Sequence, residues 1–438
     1  MWLTVFQKIK DRHKSMTSTK TKCSFRALGW GWAFCLLSHG AAAQQYAPAP
    51  GAGTPEQASQ GQGPQGGGTG AGVRLDPFVL YPGVSLSEGY NDNVALTQTN
   101  HISSAVTVLS PALLAELKGA RSTFRLGYVG TYGWYANSAT DNYDYHELRG
   151  SADFDLSTRS NLKLIADYLV KSDPRGFTLA STTAASPNKY HQGDFGGTFS
   201  YGAVGAQGRV EIEALLTDKR YQNNRLITDT LDYDAQRYGG TFFWRVGPKT
   251  EWLIEGRQIR TDYISSASVQ DNTENQVLTG LKWEATALTT GTAKLGYSEK
   301  KYTNSAAAQQ KAKGAIWEIG VRWSPLTYSV VDLATGRRFN DSQAGLGSTF
   351  VTSDYVTLAW NHGWTERWRS TLSGSYETDS YSGVGREDKV GYISAKLAYD
   401  MRRWLSLGAE YKFSERDSNV DGSNYKQNLF LLSVRATM

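Results

Sequence analysis

The segment FRLGYVGTYGW, Phe124 to Trp134, carries the clearest structural signal in the 438-residue chain. Its even-numbered positions hold Phe, Leu, Tyr, Gly, Tyr and Trp, whereas its odd-numbered positions hold Arg, Gly, Val, Thr and Gly. An alternation of period two places the two sets of side chains on opposite faces of a β-strand. The segment therefore predicts a strand with one aromatic face and one more polar face.

The same alternation recurs along most of the chain. In ELRGSADFDL, residues 147–156, and in LKLIADYLVK, residues 162–171, the charged residues again lie on the face opposite the main apolar set. The pattern predicts further strands at Phe195–Tyr201, Val210–Leu216, Tyr238–Val246, Val277–Ala285, Ala293–Tyr297, Ala315–Trp323, Trp368–Tyr376, Ile393–Tyr399, Leu405–Phe413 and Phe430–Met438. Weaker but compatible segments are Phe78–Tyr90, Ile102–Leu117, Trp252–Ile259, Tyr328–Phe339 and Tyr355–Trp364. Together they predict about 18 strands, with roughly 16–18 as the expected range for a bacterial barrel.

Composition decides between a soluble sandwich and a barrel in lipid. The chain has 25 Tyr, 13 Trp, 15 Phe and 45 Gly but a mean hydropathy of −0.45, and no long apolar run follows its N-terminal region. A sandwich buries its apolar faces between two sheets and needs no excess of aromatics at strand ends. A barrel exposes its apolar face to lipid, girdles it with aromatics and satisfies its backbone by closure. We therefore predict an all-β fold, a single transmembrane antiparallel β-barrel over residues 77–438.

The predicted connections alternate in length. The short links are Lys118–Arg121, Thr158–Ser160, Val204–Gly208, Gly247–Thr250, Ser324–Thr327 and Met401–Trp404. The longer polar ones are Asn91–Asn100, Ser172–Tyr190, Gln222–Asp232, Ser265–Thr273, Asn304–Lys313, Asn340–Thr352, Thr378–Asp388 and Arg416–Asn424. Barrels of the Gram-negative outer membrane have short periplasmic turns and longer extracellular loops. An even strand number then leaves both termini in the periplasm.

The N-terminal region has a different composition. Residues 1–43 combine seven Lys and Arg residues, the apolar run Ala27–Leu37 and a small-residue exit at Ala41–Ala43, which is typical of a secretory signal peptide. Translation could begin at Met1 or Met16. Residues 44–76, rich in Gln, Gly and Pro, are predicted to be a disordered periplasmic linker, with a short partner-binding tail as the alternative.

Without residues 1–43, the 46 basic and 41 acidic residues become 39 and 40 and no cysteine remains. The resulting slight negative charge argues against a nucleic-acid partner.

No arrangement of residues indicates catalysis. After residue 43 the chain has four histidines, and none has a metal-binding spacing. These are His101, His146, His191 and His362. No nucleophile elbow or glycine-rich phosphate loop is evident. We therefore expect no catalytic, metal or cofactor-binding site, and a protein that is not an enzyme.

The polar face of the strands is the predicted lumen surface, and it mixes charges of both signs. The predicted lumen-lining residues are Arg125, Arg149, Asp153, Asp155, Arg209, Glu211, Arg237, Arg245, Glu255, Arg257 and Arg322. Charged rings in a narrow channel select among solutes. Alternatively, opposite charges on neighbouring strands pair and only brace the wall. The balance of signs argues against a strongly basic channel for a polyanion, and a neutral or weakly acidic glycan would suit it better.

Three stretches resemble a known family. They are PFVLYPGVSLSEGYNDNV (Pro77–Val94), the strand around Pro111 that continues to Tyr135, and the loop Asp173-Pro174-Arg175-Gly176. Together they are similar to the putative β-barrel porin 2 group, which in turn resembles the outer-membrane proteins encoded with exopolysaccharide and capsule export systems, including EpsL-type barrels. The run Tyr90–Val94 is its most characteristic piece. The chain departs from many barrels in ending with Met438 instead of Phe.

The resemblance implies an outer-membrane conduit or accessory component for export of a secreted polysaccharide. A general diffusion porin for small hydrophilic solutes is the alternative, and a plugged structural or adhesive barrel is a third. The longest predicted loop, Ser172–Tyr190, is only modest, which favours a wider conduit. The expected partners are outer-membrane lipid and lipopolysaccharide, the barrel-insertion machinery and, for the export function, periplasmic polysaccharide-export proteins and the glycan.

Overall fold

The computed structural model describes residues 72–176, 185–203, 205–286, 288–304, 306–342 and 347–438. Nearly all of its regular structure is β-strand. One helical turn at Arg225–Thr228 and two 3₁₀ turns at Ala139–Asp141 and Asp229–Leu231 lie in connections. No helix in these ranges has the length and apolar content required to cross a bilayer.

The strands are regular in length, and most have 13 to 16 residues. They are β1 (Val73–Leu75), β2 (Phe78–Asn91), β3 (Ser104–Lys118), β4 (Ser122–Tyr135), β5 (Tyr143–Ser157), β6 (Ser160–Asp173), β7 (Asn188–Tyr201), β8 (Gly208–Tyr221), β9 (Tyr233–Gly247), β10 (Thr250–Tyr263), β11 (Asn272–Thr286), β12 (Thr289–Tyr302), β13 (Lys311–Leu326), β14 (Ser329–Asp341), β15 (Phe350–Gly363), β16 (Trp368–Tyr381), β17 (Glu387–Arg402), β18 (Leu405–Ser418) and β19 (Tyr425–Thr437).

Strands β2 to β19 form one closed antiparallel barrel. Each strand pairs with its neighbours in sequence, and β19 returns to pair with β2 from Leu429 opposite Asn91 to Thr437 opposite Gly83. Closure pairs the strands on both sides over most of their length, which removes most of the cost of unpaired backbone groups in lipid. The prediction of a single barrel of about 18 strands is confirmed.

The alternation in the sequence becomes an outer and an inner face. Along β4 the even-numbered side chains of the opening segment point outward, and Leu126 and Trp134 are 53% and 46% exposed. Outward aromatics form one girdle beside the short turns, at Phe78, Tyr201, Trp244, Trp252, Trp323, Tyr328, Trp364, Trp368 and Trp404. A second girdle lies toward the long loops, at Tyr90, Trp134, Tyr168, Tyr238, Tyr297, Tyr376, Tyr411 and Phe430. Aliphatic side chains such as Leu148, Ile212 and Leu358 occupy the band between them, as in outer-membrane barrels.

The connections alternate as predicted, so the barrel has a short-turn end and a long-loop end. Eight connections of two to six residues lie at the first end, and nine of five to fourteen residues lie at the second. The prediction missed the long loop 136–142 between β4 and β5. Strand β2 begins and β19 ends at the short-turn end, so both ends of the barrel chain lie at the same end of the barrel.

The predicted boundary between linker and barrel, at residue 77, needs a correction. Residues 73–75 already form β1, with Val73 opposite Leu80 and Leu75 opposite Phe78. The pairing of β19 with β2 ends at Gly83. The edge of β2 before Gly83 is therefore available for β1. The predicted signal peptide 1–43 and the predicted linker up to residue 71 lie outside the described residues.

Candidate pore lining and constriction

The interior of the barrel differs between its two halves. In the short-turn half, inward side chains such as those of Arg322 and Arg125 remain 40% and 38% exposed. In the long-loop half, inward side chains such as Lys300 and Lys412 are both only 2% exposed. The lumen is therefore wide beside the short turns and narrow beside the long loops.

All eleven predicted lining residues lie on barrel strands, on the face opposite the exposed apolar side chains. They are distributed over β4 (Arg125), β5 (Arg149, Asp153, Asp155), β8 (Arg209, Glu211), β9 (Arg237, Arg245), β10 (Glu255, Arg257) and β13 (Arg322). Most sit in the wide half, and the structure does not gather them into one ring.

Most of these charges are engaged with neighbours along the wall. The Arg125 Nε donates to Glu116 at 2.8 Å, and the Arg149 Nη2 donates to Glu147 at 2.7 Å. The remaining contacts are Asn161 to Asp153 and Asp155, Arg209 to Glu211 and Glu251, Arg237 to Glu213, and Arg322 to Asp332. This geometry favours the interpretation that these pairs brace the wall over that of a selectivity ring.

A neutral four-charge network lies deeper in the interior. The Arg257 side chain is 1% exposed and its Nη1 donates to Glu318 at 2.8 Å, while its Nε donates to Glu255 at 2.9 Å. The Lys294 ammonium group lies 3.0 Å from Glu255 and also contacts Glu318. Since Arg257 is on β10 and Glu318 on β13, their contact reaches past two strands and can only run through the lumen.

A second buried cluster is centred on Asp341, at the end of β14. Its carboxylate accepts hydrogen bonds from Lys300 at 2.9 Å, Tyr302 at 2.8 Å, Asn272 at 2.9 Å and Tyr263 at 3.0 Å. These donors lie on β10, β11 and β12, so one carboxylate links three other strands to β14. The sequence prediction missed Asp341, because it assigned residues 340–352 to a loop.

Tyrosines line the narrow half beside the long loops. Tyr143 and Tyr145 stack at 4.5 Å between ring centroids, and Tyr190 lies 5.5 Å from Tyr221. The inward tyrosines of this half include Tyr135, Tyr143, Tyr145, Tyr190, Tyr221, Tyr233, Tyr263, Tyr302 and Tyr425. Most of them occupy the strand position next to a long loop. That recurring position was a signal in the sequence that the prediction did not use.

The first long loop, residues 92–103, folds into the lumen. Asn93 is fully buried, and its Nδ2 donates to the Thr97 carbonyl at 2.8 Å and to the Lys426 carbonyl at 2.9 Å. Val94 packs against inward apolar side chains of four strands, among them Val106 and Leu429. At the characteristic run Tyr90–Val94 the chain thus turns into the lumen, and its Asn93 side chain is hydrogen-bonded to β19.

A further family stretch, Asp173 to Gly176, meets this loop inside the barrel. The Asp173 carboxylate accepts from Tyr221 at 2.8 Å, and Arg175 pairs with Asp141. A β-carbon on Gly176 would lie 2.2 Å from the Leu96 carbonyl oxygen, so the two backbones are in direct contact. Both family stretches therefore build the constriction.

A side chain at position 176 should open this constriction. In Gly176→Val the new atoms would collide with the backbone of the first long loop, which has to move. We expect single-channel conductance to rise about twofold, because the narrowest segment limits ion flow. The control is Gly240→Val, since a β-carbon at Gly240 meets no atom within 4 Å. Equal conductance of the two variants would show that this contact does not set the constriction.

In the part of the chain that the structure describes, no group of three or more His, Cys, Asp or Glu side chains is arranged to hold a metal.

Comparison with known proteins gives a family. A family model described as Putative beta-barrel porin 2 matches residues 68–438. No curated protein sequence matches the chain. Solved structures that align with the chain include OpdK from Pseudomonas aeruginosa (10% identity, 82% of this chain and 99% of that chain, TM-score 0.44). Others are a BenF-like porin from Pseudomonas fluorescens Pf-5 (9%, 83% and 100%, 0.46) and OccK2 (OpdF) from Pseudomonas aeruginosa (12%, 83% and 99%, 0.46).

Proposed function

The chain belongs to the putative beta-barrel porin 2 family of outer-membrane barrels, and we propose that it is a diffusion pore for small hydrophilic solutes. The narrow long-loop half of the lumen carries this proposal. Its inward side chains are buried against one another, and the loop 92–103 occupies part of the space that they leave. Such a lumen suits molecules of the size of simple sugars, organic acids or amino acids.

Export of a secreted polysaccharide, which the sequence resemblance implies, is the second candidate. It requires a continuous path for a polymer, whereas the buried interior supports passage of single small molecules better. The modest length of the loop after β6 favoured a wide conduit, but the loop after β2 folds inward, and the first residues of the loop after β6 contact it there. Loop length alone therefore did not indicate how far the interior is filled.

The proposal includes an orientation. The long-loop end faces the cell exterior and both termini lie in the periplasm, which is the arrangement typical of barrels with short turns at one end. The outer aromatic girdles then contact the headgroup regions, including lipopolysaccharide on the exterior side. The barrel-insertion machinery is the expected assembly partner, and periplasmic export proteins are expected only for the second candidate.

Conductance and swelling measurements test the proposal. The mature protein is reconstituted in planar bilayers and in liposomes, and swelling is followed with sugars of increasing size. We expect a small, stable conductance, swelling that falls steeply above disaccharides, and no block by the secreted polysaccharide of the host. A large conductance that this glycan blocks would favour the export conduit. Absence of both conductance and swelling would indicate a plugged barrel.

A further inference from the structure

The barrel wall is interrupted between β13 and β14. Their pairing runs from Leu326 opposite Ser329 to Glu318 opposite Gly336 and stops there. Both strands continue toward the long loops, β13 paired with β12 as far as Lys311, and β14 paired with β15 as far as Asp341. The same register would have paired residues 313–317 with residues 337–341. We call these two facing segments, 311–317 and 337–341, the seam.

Apolar side chains fill the seam from the inside. Phe339 is 7% exposed and packs with Leu278, Ala312 and Ile316, and Phe350 lies against its ring at 6.2 Å. The lumen around this cluster is otherwise lined by charged and hydroxyl groups. This apolar cluster lies where the backbone hydrogen bonds between β13 and β14 stop.

Polar side-chain contacts hold the seam closed. The Asp341 cluster crosses it at its long-loop end, and two further contacts cross its lower part. On the inner side, the Lys300 ammonium group of β12 donates to the Phe339 carbonyl oxygen at 2.8 Å and so reaches past β13. On the outer side, the Arg337 guanidinium lies 4.6 Å from the centre of the Trp317 ring and pairs with Asp354. Side chains can change rotamer without breaking a strand, so this closure is easier to open than a ladder of backbone hydrogen bonds.

The seam begins within the bilayer. Tyr297 belongs to the girdle on the long-loop side and stands opposite Ala315 in the β12–β13 register, and Leu295 stands opposite Trp317. Leu295 is 65% exposed on the outer face, so Trp317 borders the apolar band. The lower part of the seam therefore connects the apolar cluster inside the barrel with the lipid outside.

We propose that the seam is a lateral portal through which a small amphipathic molecule, with one alkyl chain or aryl group, passes between the lumen and the surrounding lipid. The apolar part crosses at Phe339 and Ala315, while the polar part keeps contact with the hydrated lumen. This rests on the proposed pore function, because the portal needs an accessible lumen on its inner side.

Labelling from the lipid phase tests the portal. The mature chain lacks cysteine, so Phe339→Cys and Phe243→Cys are single-cysteine variants. Phe339 and Phe243 are equally buried on the inner face, at 7% and 6% exposure, but Phe243 lies in a fully paired part of the wall. The probe is N-dodecylmaleimide dissolved in phosphatidylcholine vesicles that contain the protein. We expect position 339 to be labelled about tenfold faster, because only the seam opens locally to lipid.

A second pair of cysteine variants and a measurement on the wild-type protein keep the test decisive if Phe339→Cys folds poorly. Ile316→Cys and Leu253→Cys repeat the comparison at two residues that are both 2% exposed. In the wild-type protein, amide hydrogen exchange should be faster in residues 311–317 than in β12, which is paired on both sides. Equal labelling and equal exchange would overturn the portal.

Sugar-driven swelling of the same vesicles separates the two proposals. Swelling together with equal labelling at positions 339 and 243 overturns the portal and leaves the pore. Absence of swelling overturns the pore, and the portal with it. Swelling together with preferential labelling at position 339 supports both.

Discussion

Replacing Asp341 by alanine is expected to destabilise the barrel by about 3–5 kcal/mol, because breaking a buried ion pair leaves the remaining charge buried without its partner. The partner is Lys300, whose side chain is 3% exposed, against 0% for Asp341. Glu274 lies 3.5 Å from the same ammonium group and would be its remaining carboxylate. Because Glu274 is farther away than Asp341, it compensates only in part.

The loss extends beyond one ion pair. Tyr263, Tyr302 and Asn272 also donate to the Asp341 carboxylate, and each would lose a buried acceptor. An unsatisfied buried donor costs about 1–3 kcal/mol unless water replaces its partner. The single substitution therefore loosens β10, β11 and β12 against β14, at the long-loop end of the seam.

The measurement is urea-induced unfolding of the protein in lipid vesicles, followed by tryptophan fluorescence. Asp341→Asn keeps an oxygen acceptor but removes the charge, and we expect it to lose less stability than Asp341→Ala. Asp332→Ala is the matched control on the same strand, because its pair with Arg322 lies on the inner face near the short turns and is more than a third exposed. An exposed pair contributes only about 0–1 kcal/mol. If Asp341→Ala unfolds like Asp332→Ala, the cluster is not a structural hub.

The sequence predicted the wall of the barrel well because the wall follows a local rule. Alternation of period two reports which face of a strand meets lipid, and lipid acts on every outward side chain alike. The segment around Leu126 and Trp134 obeys this rule without exception, and β4 has the predicted faces. The strand count and the two kinds of connection follow from the same rule.

The interior could not be predicted in the same way, because its contacts join residues that are distant in sequence. Asn93 binds the carbonyl of Lys426, and Gly176 packs against Leu96 and accepts from Arg416. No periodicity encodes such pairs. The resemblance did single out the two stretches that meet there, Tyr90–Val94 and Asp173–Gly176, but without a structure their contact was not evident.

Weak alternation in β14 also had a structural cause. Arg338 points inward to Glu377, and the next residue, Phe339, packs into the interior as well. Two consecutive inward side chains break the period of two, so the segment Tyr328–Phe339 gave only a weak strand signal. The same break coincides with the end of the β13–β14 pairing. An irregular strand in a barrel sequence can therefore mark a break in the backbone pairing of the wall.

Leu358→Arg is expected to destabilise the barrel by about 2–4 kcal/mol, because an arginine near the bilayer midplane on the lipid face is costly. Leu358 is 49% exposed on the outer face of β15, opposite Leu333 on one neighbouring strand and Gly374 on the other. The matched control is Thr357→Arg, one position earlier on the inner, hydrated face, where we expect little change. Both variants are unfolded with urea in vesicles, and a clear difference between adjacent positions can arise only if lipid contacts one face and water the other. Equal stabilities would mean that the outer face of β15 does not lie in the apolar core of the membrane, and the lipid-facing assignment of the aromatic girdles would have to be abandoned with it.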